Sequence, residues 1–146
     1  MVSAANLITL GRLVTDLVHG ARALTALGID PRELLLGAVA IWLTNVLAFA
    51  SWYWELDRGG PGARCAPHHR APDFLFTQMI TPGAAGGHWT PGFMDYLYLS
   101  FTNATAFSPT DTLPLTYGAK GLMLIQALVS LLTIALVAAR AVNILH

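Results

Sequence analysis

Charged side chains are scarce in this chain. Eight Lys and Arg with eight Asp and Glu make up 11% of its 146 residues, where a soluble domain carries about 25%. With 55% hydrophobic residues beside them, that scarcity excludes an ordinary water-soluble domain and points to a membrane protein. The charges cancel to a formal net zero, so there is no basic face for nucleic acid. Cysteine is almost missing: Cys65 is the only one, which excludes an internal disulfide. A cleavable signal is not expected, because Arg12 and Asp16 interrupt what would be its apolar core and no positive cluster precedes it. No nucleophile–base pair has recognisable spacing, so no enzyme and no cofactor are expected. There is no internal repeat, and the length suits one domain.

What is present is two long apolar runs and a polar, turn-rich stretch between them. Residues 1–29 place Leu7, Leu10, Val14, Leu17, Ala21 and Leu24 at helical spacing. Arg12, Asp16, His19 and Arg22 share the opposite face. Each such charge costs roughly 2.5–3.5 kcal/mol at the bilayer centre, so this amphipathic helix is expected to lie in the interface, or else to pack on a partner. Asp30, Pro31 and Glu33 then carry the cap, first-position and capping-box chemistry of a helix start. Leu34 to Trp54 is a run of 21 uncharged residues, and about 20 cross a bilayer core. The expected outer helix covers 31–54, with Trp52, Tyr53 and Trp54 as an interfacial belt. Thr44 and Asn45 near its middle are expected to make helix–helix hydrogen bonds.

Residues 55–90 read as an extramembrane loop broken by Gly and Pro, with Phe74-Leu75-Phe76 packing back on the helix ends. Its Cys65-x-x-His68-His69 is a weak metal pattern, since adjacent histidines point apart and no fourth ligand has the usual spacing. Titration of the histidines is another reading, and a solvated loop is the favoured one. Thr90 and Pro91 open a short helix over 91–105, with Asp95 in its first turn. At roughly 20 Å it is too short to cross, which makes it re-entrant, with 106–114 a loop lining a cavity. The second span is Gly121 to Ala139, 19 uncharged residues inside an expected inner helix 117–143. Gln126, Ser130, Thr133 and Val137 share one of its faces and are expected to line a cavity. Few residues follow Arg140, and no large C-terminal regulatory domain is expected. Basic residues divide four and four between the two sides, so orientation is not set.

Ser100, then Thr105-Ala106-Phe107-Ser108-Pro109-Thr110-Asp111, then Pro114, Thr116 and Lys120, stand in gapless register with a known pattern. The segment resembles the pore of two-transmembrane potassium channels, where T-T-V-G-Y-G-D occupies the seven central positions. That resemblance implies an all-α membrane protein. Its parts would be two transmembrane helices, a re-entrant pore helix and a filter-like loop, assembled as a homotetramer in the plasma membrane. It also implies that Thr105 to Asp111 form the ion path. The two filter glycines are replaced by Ser108 and Thr110. At roughly 1–2 kcal/mol per left-handed non-glycine residue, eight such positions in a tetramer cost on the order of 8–16 kcal/mol, comparable to a whole fold's stability of about 5–15 kcal/mol. Pro109 further fixes φ and removes an N–H. The potassium-filter conformation is therefore not expected. Thr102 stands where the family places a pore-helix glutamate, and Ser130 where it places a hinge glycine.

Two functions follow from these expectations. One is a weakly selective channel for monovalent cations, with a ring of Asp111 at the mouth. The other is a non-conducting relative with a structural or interaction role, in which Phe107 and Pro109 plug the opening. In both, lipid and further copies of the chain are the partners.

Overall fold

The computed structural model describes residues 31–64, 70–81, 83, 89–105 and 111–144. The amphipathic helix expected over 1–29 lies outside them. So do Cys65, His68 and His69, and the central loop residues Ala106 to Thr110.

Two long helices dominate: α1, Pro31–Leu56, and α5, Tyr117–Ile144. Both meet the length and hydropathy of a membrane span, over Leu36–Gly59 and Tyr117–Ala135, with only 28% and 22% of those windows covered by the rest of the chain. A core helix of a soluble protein would be mostly covered. Leu36, Leu47, Leu124, Leu128 and Leu131 stand uncovered along them, which water penalises and lipid does not. The architecture is that of a multi-pass membrane protein. Two span-length helices are expected and two are observed among the described residues, because long uncharged runs bounded by Pro and polar residues leave little choice.

Between them the chain is more structured than a broken loop. A 3-10 turn, Asp57–Gly59, ends α1, followed by the short helix α2, Pro61–Arg64. Here Arg58, Gly59 and Gly60 all have positive φ, at 55°, 85° and 101°. The two glycines take that conformation without strain, and the chain turns back. Strand β1, Phe74–Phe76, leads into α3, Thr77–Ile80. Strand β2, Thr112–Pro114, pairs with β1 antiparallel, with Leu75 opposite Leu113. The expectation of an all-α chain is therefore corrected: the fold is mostly helical with a small two-stranded sheet.

The remaining element, α4, is Phe93–Ala104. It begins two residues later than Thr90-Pro91 suggested, because the Asp95 carboxylate accepts the Gly92 N–H at 2.7 Å and makes Gly92 the cap. Helix α4 runs antiparallel to α1. Its Phe93 ring meets Trp54 edge-on at 5.5 Å, its Ser100 hydroxyl reaches the Val46 carbonyl at 2.6 Å, and Phe101 meets Trp42 at 5.4 Å. From Trp54 to Trp42 is about 18 Å along α1 at roughly 1.5 Å per residue. Helix α5 also runs antiparallel to α1, with Gln126 beside Tyr53 and Ser130 beside Asn45.

The core lies at the end where α1 finishes and α4 and α5 begin. Phe49, Tyr53, Phe74, Phe76, Tyr96, Leu99, Ala119, Leu122 and Met123 form it. The strand side chains Phe74 and Phe76 insert there, as expected of Phe74-Leu75-Phe76. Rings meet edge-on at 5.1 Å for Tyr53–Phe74 and 5.3 Å for Phe76–Tyr96, the geometry aromatic quadrupoles favour. Tyr53 is fully buried, so it belongs to this core and not to an interfacial belt.

Candidate functional site

Two polar assemblies hold α4 between the long helices. The deeper one is built from Tyr53 of α1, Ser100 and Asn103 of α4 and Gln126 of α5, all buried. The Gln126 amide nitrogen donates to the Ser100 hydroxyl at 2.6 Å and the Ser100 carbonyl at 3.0 Å. Its oxygen accepts the Tyr53 hydroxyl at 2.5 Å and the Asn103 amide at 2.9 Å. The Asn103 amide also donates to the Met123 carbonyl at 2.9 Å. One turn further in, the Asn45 amide donates to the Ser130 hydroxyl at 2.7 Å. Each of these side chains has a partner, which is the condition for a polar network in a low-dielectric interior. Ser100 and Asn103 fall three apart on α4, and Tyr96 four before Ser100, so a single face carries all three.

The second assembly sits at the end of α1. The Asp57 side chain is fully buried, and burying a carboxylate is costly unless it is paired and hydrogen-bonded. Asp57 Oδ1 accepts the backbone N–H of Asp73 at 2.7 Å and of Phe74 at 3.3 Å. Its Oδ2 accepts the Tyr96 hydroxyl at 2.6 Å and lies 3.8 Å from Arg58 Nε. The Arg64 guanidinium donates to the Trp54 and Asp57 carbonyls and lies over the Tyr96 ring at 5.4 Å. Burial pushes the Tyr96 hydroxyl well above the ordinary phenol range, and its hydrogen bond to Asp57 and that carboxylate's charge push it further, against the two arginines. Asp73 continues the chain of contacts. Its carboxylate accepts the Arg58 N–H at 2.9 Å and the Thr116 hydroxyl at 2.6 Å, and its carbonyl accepts the Leu115 N–H at 2.8 Å. Thr116 in turn accepts the Ala119 N–H in the first turn of α5.

The residues singled out in the sequence divide among these surroundings. Thr105 ends α4, and its hydroxyl donates to the Phe101 and Thr102 carbonyls. Asp111 is exposed, and its carbonyl accepts the Thr77 hydroxyl at 2.7 Å beside the strand pair. Ala106, Phe107, Ser108, Pro109 and Thr110 lie outside the described residues. Gln126 and Ser130 face α1 and α4 of the same chain. The Thr133 hydroxyl donates to its own helix at Val129, and Val137 is half-buried. Asn45 makes a helix–helix bond as expected, whereas Thr44 bonds Ala40 of its own helix. Thr102 donates to Tyr98 and Leu99 on α4, so it does not stand in for a glutamate behind the loop. Among the described residues there is no cluster of three or more His, Cys, Asp or Glu able to hold a metal.

Sequence reasoning missed Tyr53, Asp57, Tyr96 and Asn103. The face shared by Tyr96, Ser100 and Asn103 was a readable signal. Asp57 offered none, since a carboxylate just past an apolar run looks solvated until the fold covers it. No family model, no curated protein and no solved structure matches the chain.

Proposed function

We propose that the chain forms a homotetrameric, weakly selective channel for monovalent cations in the cell membrane, with Thr105 to Asp111 as its ion path. One observation supports this reading above the others. Helix α4 starts beside the end of α1 and descends between the two long helices. By Asp111 the chain is back beside Thr77, on the side it left. Twelve residues rise about 18 Å, well short of a hydrocarbon core of roughly 30 Å. Backbone that ends at such a depth is tolerated only against protein or water, and copies arranged about an axis supply both. The C-terminus of α4 would bring partial negative charge to that axis, and four copies of Asp111 would form an acidic ring that concentrates cations. The polar anchors inside each subunit hold α4 at its depth, and lipid covers the aliphatic faces. No catalysis and no resident cofactor enter this function.

A second reading, a pore-loop relative that conducts nothing, has its own support. Gln126 and Ser130 are engaged within the subunit, and Thr133 bonds its own helix. The uncovered face of α5 carries Leu124, Leu128, Leu131 and Leu132. A cavity lined by that face would be aliphatic, and aliphatic constrictions shed water. Purified protein in planar bilayers separates the two readings. Cation current that reverses with a cation preference, weakened by Asp111→Asn, supports the channel. Absence of current at every voltage, pH and salt tested supports the second reading, and an unshifted reversal potential in Asp111→Asn removes the acidic ring.

A further inference from the structure

The stretch between the two spans does more than connect them. Helix α4, which runs down to Thr105, and the chain that resumes at Asp111 are each tied to one of two neighbouring aspartates. On the descending side, the first turns of α4 are tied to Asp57 through the Tyr96 hydroxyl at 2.6 Å. On the returning side, Leu115 and Thr116 are tied to Asp73 at 2.8 and 2.6 Å. The two aspartates are linked through backbone N–H groups: the Asp73 N–H donates to Asp57 Oδ1 at 2.7 Å, and the N–H of Arg58, next to Asp57, donates to Asp73 Oδ2 at 2.9 Å. From Asp73 the chain runs straight into β1, which pairs with β2, and Thr77 holds the Asp111 carbonyl. The Thr102 hydroxyl, by contrast, is bound within α4.

We infer that Asp57 and Asp73 together act as a brace that fixes the separation between the descending helix α4 and the returning strand β2. Asp57 and Asp73 are positioning residues; neither is placed on an ion path. The brace predicts coupling across the sequence: weakening it at Asp57 loosens backbone far away at 111–116.

Amide hydrogen exchange on the full chain in lipid nanodiscs tests this without any need for conduction. Asp57→Ala removes three accepted hydrogen bonds, and a lost buried partner of this kind raises local opening by roughly ten-fold or more. Exchange is expected to quicken at 93–98 and at 111–116 together, while the middle of α5, 122–132, stays protected. Asp57→Asn keeps an oxygen for the two backbone N–H groups and is expected to give a smaller rise at the same places. Thr77→Val, which cuts only the tie to Asp111, is expected to quicken 111–113 and leave 93–98 unchanged. If Asp57→Ala loses protection throughout, Asp57→Asn and Thr116→Val carry the test. Faster exchange confined to 57–76, with 111–116 unchanged in the folded variants, overturns the brace. Planar-bilayer current is read separately: a brace without current leaves this inference standing and the channel rejected, and the reverse outcome does the opposite.

Discussion

Replacing Gln126 by Leu tests how α4 is held among the long helices. The side chain is fully buried and makes four hydrogen bonds, two given to Ser100 and two accepted from Tyr53 and Asn103. Leucine fills a similar volume, so the loss is of hydrogen bonding rather than packing. The Tyr53 hydroxyl proton loses its acceptor, while the Ser100 carbonyl keeps its bond within α4 and loses only the second one. Asn103 keeps its bond to the Met123 carbonyl. In water-soluble proteins each buried group left unsatisfied costs roughly 1–3 kcal/mol. Measured interhelical bonds in membranes average nearer 0.6 kcal/mol, with a maximum near 1.7, because the unfolded reference state also finds partners. Four lost hydrogen bonds, one of which leaves the Tyr53 hydroxyl proton unsatisfied, therefore place Gln126→Leu at about 2–4 kcal/mol, a shift of roughly 30- to 700-fold in the unfolding equilibrium. Equilibrium unfolding in mixed micelles or bicelles, followed by tryptophan fluorescence, reads this directly. Leu131→Ala on the uncovered face serves as control, with an expected change within about 0.5 kcal/mol. A Gln126→Leu change no larger than that control would mean that the network does not hold α4.

Other outcomes follow from the same geometry. Asn45→Leu with Ser130→Ala removes one isolated interhelical bond and is expected to cost about 0.6–1.7 kcal/mol, well below Gln126→Leu in the same unfolding assay. Tyr96→Phe leaves Asp57 with its two backbone donors and one fewer hydrogen bond, for an expected loss of about 1–2 kcal/mol at neutral pH. The Tyr96 hydroxyl is shifted upward in the fold, so the stability it contributes is complete below the ordinary phenol pKa of about 10 and is lost as pH climbs above that value. Unfolding measured from pH 8 to 11.5 should show a steeper alkaline loss in the parent chain than in Tyr96→Phe, and identical slopes would contradict the assignment. Gly60→Ala places a side chain at φ 101°, where an L residue is strained, and is expected to lower thermal stability by about 1–2 kcal/mol.

The parts of the fold that sequence patterns foretold are those fixed by local chemistry. Uncharged runs delimited α1 and α5, and Thr90-Pro91 with Asp95 in the first turn announced a short helix, although its cap is Gly92. The parts that escaped depend on contacts between distant segments. Strands of three residues, Phe74–Phe76 and Thr112–Pro114, carry too little periodicity to be read, and each is a strand only because the other lies beside it. Gln126 and Ser130 are expected, with Thr133 and Val137, to line a cavity, but only the position of Asn45, Tyr53 and Ser100 decides that these two face the same chain. Asp57 is the extreme case. Its sequence neighbours Glu55 and Arg58 suggest a solvated turn, yet the fold closes over it and makes it the meeting point of α1, α4 and β1.

The path of the chain between the two spans is the claim on which the function rests, and sidedness of labelling tests it most directly. Thr90 and Asp111 are both exposed and flank α4 with the segment that follows it. In a Cys65→Ser background, Thr90→Cys and Asp111→Cys should react with a membrane-impermeant maleimide added to the same side of oriented vesicles. Asn143→Cys, at the far end of α5, should react only from the other side. Labelling of Thr90→Cys and Asp111→Cys from opposite sides would make α4 a crossing segment and contradict the account.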